Sequence, residues 1–145
     1  MEVGDKERME QALQYIMHLS GIKYFYGGED PIEGFDCSGL ACEYLKAGGK
    51  LPNSVRVSAQ NLYLRFSMKG NDIDEPKRGA LVFYGSSTND IGHVAICLDK
   101  YSMLEAGGGS RSTDTDEEAA DRDAFVRVRP INRRKDIVAY VDPFK

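Results

Sequence analysis

Two residues, Cys37 and His93, have surroundings that suit them for chemistry. Cys37 follows a run of turn residues, Gly27-Gly28, Pro31 and Gly34, and is followed at once by an apolar pattern of helical period. It therefore opens a helix, where free N–H groups and the positive end of the dipole favour a thiolate over a thiol. Its partner base would be His93 in Ile91-Gly92-His93-Val94-Ala95-Ile96, far down the chain. A single cysteine joined to a remote histidine in space is the arrangement of a nucleophilic thiol with a general base. Taken alone, Cys37 would read as a small buried hydrophobe. His93 could likewise be an ordinary strand residue, although Gly92 before it suggests a place at the rim of the sheet.

The elements that must position these residues follow from periodicity. Asp5 caps a helix over 5–19 with Met9, Leu13, Ile16 and Met17 at helical spacing, stopped by Ser20-Gly21. His18, near its end, reads as an ordinary surface residue. The helix from Asp36 or Cys37 to Ala47 turns Leu40, Ala41, Tyr44 and Leu45 inward and halts at Gly48-Gly49. A third runs from its cap Ser58 to Met68, with Ala59, Leu62, Tyr63 and Phe66 as its stripe. The period then changes to that of short strands: Ala80–Tyr84, His93–Leu98, Ser102–Glu105, Ala124–Pro130 and Ile137–Val141. Helices first and strands after predict an α+β fold, with the cysteine helix packed on a C-terminal antiparallel sheet.

The 145 residues suffice for one domain, 1–145, with its own core. A net charge of −4 without a concentrated basic patch argues against a nucleic-acid partner. No apolar run approaches a membrane span, and the polar start Met1-Glu2-Val3-Gly4-Asp5-Lys6 does not read as a signal peptide. The expectation is cytoplasmic synthesis. Three cysteines at these spacings form neither a disulfide framework nor a metal cluster, so no metal or other cofactor is expected, and Cys42 and Cys97 read as core. Between Ser110 and Asp123 the acidic, polar sequence reads as a solvated loop.

Several segments together resemble a known family. These are Tyr24-Phe25-Tyr26-Gly27-Gly28, Asp36-Cys37-Ser38-Gly39-Leu40, Arg56-Val57-Ser58-Ala59-Gln60, Gly79-Ala80-Leu81-Val82-Phe83-Tyr84 and Gly92-His93-Val94-Ala95-Ile96. They stand in the order of the motifs of the NlpC/p-sixty cysteine peptidases, over roughly residues 10–107. The resemblance implies a papain-like fold with Cys37 as nucleophile and His93 as general base. It also implies a third residue on the next strand to fix the imidazole tautomer, and Glu105 falls on that position, where the family usually has His, Asn or Gln. The alternative for Glu105 is a plain exposed carboxylate at a strand end. Tyr24 would help place the substrate carbonyl or its oxyanion, with the Cys37 N–H as second donor. Arg56 and Ser58 would border the substrate groove, although Ser58 could equally be only a helix cap. Ala80 departs from the aspartate usual after this glycine, which reads as a structural change at the strand start.

The implied reaction is hydrolysis of peptidoglycan stem peptides or muropeptides, at a bond of the γ-D-glutamyl–diamino acid type, through an acyl-thioenzyme. Alternative readings are a related amidase or acyltransferase, or a non-catalytic module that holds a peptide in a phage tail. Glu105-Ala106-Gly107-Gly108-Gly109 resembles phage-encoded members, so carriage on a virion tail or release by lysis is a further expectation.

Overall fold

Apolar residues at helical spacing turn the first half of the chain into three helices. In the computed structural model, which describes residues 4–21, 28–30, 34–107 and 125–145, α1 spans Asp5–Met17, α2 Cys37–Ala47 and α3 Ala59–Ser67. Tyr24 and the whole acidic stretch from Ser110 to Asp123 lie outside the described residues. α1 buries Met9, Ala12, Leu13 and Ile16. Two expectations for it need correction. Gly4 is the N-cap residue and Asp5 the first helical residue, where its carboxylate meets the dipole and pairs with Lys50 at 3.1 Å. Met17 is 41% exposed, because the last turn carries it past the buried stripe.

α2 is capped by Asp36, whose carboxylate accepts the Gly39 N–H at 2.7 Å. It buries Leu40, Ala41, Cys42, Tyr44 and Leu45, and ends at Gly48 with Gly49 at φ 75°. Ser58 caps α3 by accepting the Asn61 N–H at 3.2 Å. The buried face of α3 is Ala59, Leu62 and Phe66, and Tyr63 stands edge-on to Phe83 with ring centroids 5.6 Å apart.

The strands are β1 (Glu29–Asp30), β2 (Gly34–Phe35), β3 (Asp72–Ile73), β4 (Leu81–Ser87), β5 (Asp90–Cys97), β6 (Ser102–Gly107), β7 (Phe125–Pro130) and β8 (Ile137–Val141), with a 3-10 turn at Ile131–Arg133. β1 and β2 pair only with each other, just before α2. The other six form one sheet in the order β3-β8-β4-β5-β6-β7, antiparallel throughout. The two-residue strands carry no detectable period, which is why the sequence pattern misses them.

Alternation along the strands gives the sheet two apolar faces. Leu81, Phe83, Val94, Ile96, Leu104 and Ala106 pack with the helices, while Val82, Tyr84, Ala95, Cys97 and Met103 pack with Ile131 on the other side. Each fully buried large side chain of the first group contributes about 1.5–3 kcal/mol. The helix-to-sheet layer is thus the main anchor for α2, whose first residue is Cys37. Cys42 and Cys97 are both fully buried.

Candidate active site

The site forms where the start of α2 meets β5 and β6. Asp36 sets the first turn of α2 by taking the Gly39 N–H, and Arg56 holds Asp36 in turn at 2.7 Å while donating to Ser38 Oγ at 3.0 Å and to the Val57 carbonyl at 2.7 Å. Gly39 is required by close approach. A Cβ there would stand 1.9 Å from the Gly28 carbonyl oxygen and 2.8 Å from Asp36 Oδ1. The backbone leading into α2 therefore lies directly on its first turn, and Asp36 N–H donates to that same Gly28 carbonyl at 3.2 Å. These contacts fix Cys37, which is half-buried, at the positive end of the helix dipole.

His93 is brought to Cys37 by a bulge. β4 and β5 pair as Tyr84 with His93 and then Gly85 with Ile91, which leaves Gly92 as an extra residue on β5. A bulge re-aims the neighbouring side chain and sharpens the local twist. Gly85, opposite, has no room for a side chain, since a Cβ would stand 2.1 Å from the Asp90 carbonyl oxygen. His93 is only 8% exposed, contrary to the expected place at the sheet rim, because β5 is an interior strand with Tyr84 and Glu105 beside the imidazole. The Tyr84 ring lies 5.5 Å from it, centroid to centroid.

Glu105, on β6, is fully buried, not the exposed carboxylate of the alternative reading. Its Oε1 lies 2.6 Å from His93 Nε2. That contact occupies Nε2 and leaves Nδ1 as the second ring nitrogen, while Cys37 also acts on the imidazole. Burial works to lower the imidazole pKa, but hydrogen bonds to Cys37 and Glu105, and the charges of both, outweigh it and raise it to about 9. Burial likewise works to raise the Glu105 carboxyl. The hydrogen bond and charge of His93, then Arg133 and Arg129, hold it below the usual carboxylate range. The three side chains form a line: a thiol at a helix start, an imidazole kept protonated, and a buried carboxylate fixing its far nitrogen. Such a line can generate a thiolate and move a proton to and from a reacting group.

The sequence profile described as the NlpC/P60 family matches residues 21–129. The chain belongs to the NlpC/P60 family. It is similar to the bifunctional muramidase/DL-endopeptidase CwlT of Bacillus subtilis (strain 168), with 30% identity over 106 residues covering 71% of this chain. The chain spans only 30% of the length of that relative. Among solved structures it is similar to the P60 domain of an antigen of Mycobacterium avium subspecies paratuberculosis, with TM-score 0.70 and 21% identity, covering 97% of this chain and 98% of that one. It is also similar to the peptidoglycan hydrolase RipB of Mycobacterium tuberculosis, with TM-score 0.73 and 22% identity, covering 97% of this chain and 67% of that one. The α+β fold is that of papain-like NlpC/P60 domains. These relatives are bacterial proteins and lend no support to the phage-tail expectation.

The remaining residues singled out in this NlpC/P60 chain fall in different places. Tyr24 lies outside the described residues. Arg56 is occupied with Asp36, Ser38 and Val57, so what its geometry displays is a clamp on the nucleophile turn. Ser58 is exposed and caps α3. Ala80 is fully buried among Val82, Tyr84, Ala95 and Cys97, where a carboxylate would be desolvated.

Sequence reasoning did not find four contributors. Tyr84 walls the imidazole, Arg129 and Arg133 approach Glu105, and Gln60 ties α3 to the β4–β5 hairpin. Gln60 donates to the Thr88 carbonyl at 2.8 Å and accepts the Ile91 N–H at 2.9 Å, two residues before His93. Gln60 and Tyr84 carried a signal, as the last residues of the Arg56-Val57-Ser58-Ala59-Gln60 and Gly79-Ala80-Leu81-Val82-Phe83-Tyr84 segments, and the two arginines carried none.

Proposed function

We propose that this chain is a thiol hydrolase that cuts an amide bond of peptidoglycan stem peptides, of the γ-D-glutamyl–diamino acid type, through an acyl-thioenzyme. The observation that carries this reading is the placement of His93 between Cys37 and Glu105. Family membership and the named activities of CwlT and RipB support the substrate class.

In the reaction, the Cys37 thiolate attacks the amide carbonyl carbon and the π electrons move onto oxygen. The N–H of Cys37, first in its helix, has no acceptor within the helix and can donate to that oxyanion. Tyr24 is the second donor in this reading. As the tetrahedral centre collapses, the C–N bond breaks, and His93 gives its proton to the leaving amine, forming a thioester. Neutral His93 then takes a proton from water, whose oxygen attacks the thioester, and the thiolate leaves with the acid product. Glu105 holds the ring in one tautomer throughout.

The test is digestion of purified peptidoglycan and of free stem tri- and tetrapeptides, with Cys37→Ala alongside, read by mass spectrometry. Cleavage at one stem-peptide amide, lost in Cys37→Ala, is the expected result. Rapid alkylation of Cys37 near pH 6 without any cleavage would keep the catalytic machinery and replace the substrate. Slow alkylation as well would favour a peptide-holding module.

A further inference from the structure

Glu105 has a second oxygen that the catalytic line does not use. While Oε1 meets His93, Oε2 lies 3.5 Å from Arg133 Nη1 and 3.9 Å from Arg129 Nε. Arg133 ends the 3-10 turn that follows β7, and Arg129 lies on β7 itself, so the carboxylate is gripped from two elements. The neighbouring Arg134 is differently engaged, with both oxygens of Asp136 and with the Tyr84 ring, 5.0 Å from its centroid.

The need for these arginines follows from the reaction. A fully buried carboxylate is costly unless an opposite charge accompanies it. Imidazolium supplies that charge only part of the time, because His93 is neutral once it has protonated the leaving amine. An arginine keeps its charge throughout. An amide in the same position would need no counter-charge at all.

We propose that Arg133, backed by Arg129, is a positioning residue of this centre: it holds Oε2 of Glu105 and supplies the permanent counter-charge that lets a carboxylate orient His93 in both of its protonation states. The proposal rests on the reading of Cys37 and His93 as the catalytic pair. Glu105 is faced by His93 from β5, by its register partner Arg127 and by Arg129 from β7, by Arg133 from the 3-10 turn and, on β4, by the Tyr84 phenol, whose hydroxyl donates to the Ile131 carbonyl. His93 is faced by Cys37 from α2 and by Glu105, and it also feels Asp136, which is itself paired with Arg134.

The test needs no substrate. Cys37 of the full chain is alkylated with iodoacetamide between pH 4 and 9, in wild type, Arg133→Ala, Arg133→Lys, Glu105→Gln and the Glu105→Gln/Arg133→Ala double variant. Without Arg133 the buried Glu105 carboxyl holds its proton more readily, and a neutral Glu105 no longer stabilises the imidazolium beside Cys37, so the acid limb of Arg133→Ala should move up by about one pH unit. Arg133→Lys should restore most of that displacement. With glutamine at 105 there is no anion to compensate, and removing Arg133 should move the limb far less. An unmoved limb in Arg133→Ala, or an equal displacement in both backgrounds, overturns the proposal while leaving the Cys37–His93 pair in place. Ordinary slow-thiol behaviour in wild type would overturn the pair and this proposal together.

Discussion

A carboxylate at position 105 changes the charge state in which His93 works. A neutral amide would orient the ring, but Glu105 also stabilises its cation, and with Cys37 it lifts the imidazole to about 9 against the pull of burial. Glu105→Gln keeps an acceptor and loses the charge. The basic limb of kcat/KM on a stem peptide should therefore fall from near 9 toward the ordinary imidazole range, with partial activity, about a tenth, retained at pH 6. A profile that superimposes on wild type would remove Glu105 from the mechanism. Cys37 and His93 can be singled out from sequence because each sits in a short local pattern, a helix start or a strand beside glycine, and Glu105 is reached through the family resemblance, which implies a third residue on the next strand. Arg133 cannot. Its ion pair spans 28 positions and depends on a turn whose direction no local pattern encodes.

At the scale of elements, the site depends on two contacts, one of backbone on backbone and one of a side chain bridging to backbone. Gly39→Ala pushes a methyl group into the Gly28 carbonyl, so the start of α2 must shift. We expect a loss of about 1–3 kcal/mol in denaturant unfolding, with slower alkylation of Cys37 in the fraction that remains folded. Gln60→Ala releases the β4–β5 hairpin from α3 while leaving a small surface vacancy. It should lower kcat more than it lowers the thermal midpoint, since its two hydrogen bonds contribute about 0.5–1.5 kcal/mol each. An equal loss of both would make Gln60 a stability residue only. The three helices and the five longer strands were legible because period and capping residues agree over many positions. The Gly92 bulge was not, since a glycine before a strand residue reads the same whether or not it is paired. The Asp5 cap was misplaced by one residue because Gly4 and Asp5 are both acceptable at a helix start.

For the whole molecule, the centre and the core are coupled through protonation. The folded-state pKa of His93 is raised above the unfolded value, so its contribution to stability is complete below about 6.5 and is lost as pH rises through about 9. The thermal midpoint of wild type should decline over that window, and the decline should be shallower in Glu105→Gln. A midpoint constant from 6.5 to 9 would mean that the imidazolium is not specially stabilised in the folded chain. Because one layer of side chains joins all three helices to the sheet, unfolding followed by circular dichroism and by tyrosine fluorescence should trace a single transition.

The burial of Cys42 and Cys97 has a practical consequence. Both lie fully inside the core, with the Cys42 thiol pushed up, chiefly by burial, and that of Cys97 pushed up to about 12 for the same reason. Of three chemically identical groups, the folded chain offers one to a reagent. A brief exposure to a coloured disulfide should therefore release one equivalent of chromophore per active molecule, and three after denaturation. The protein thus contains its own standard for counting functional centres in a preparation, and a single address at which a reporter could be attached without altering the sequence.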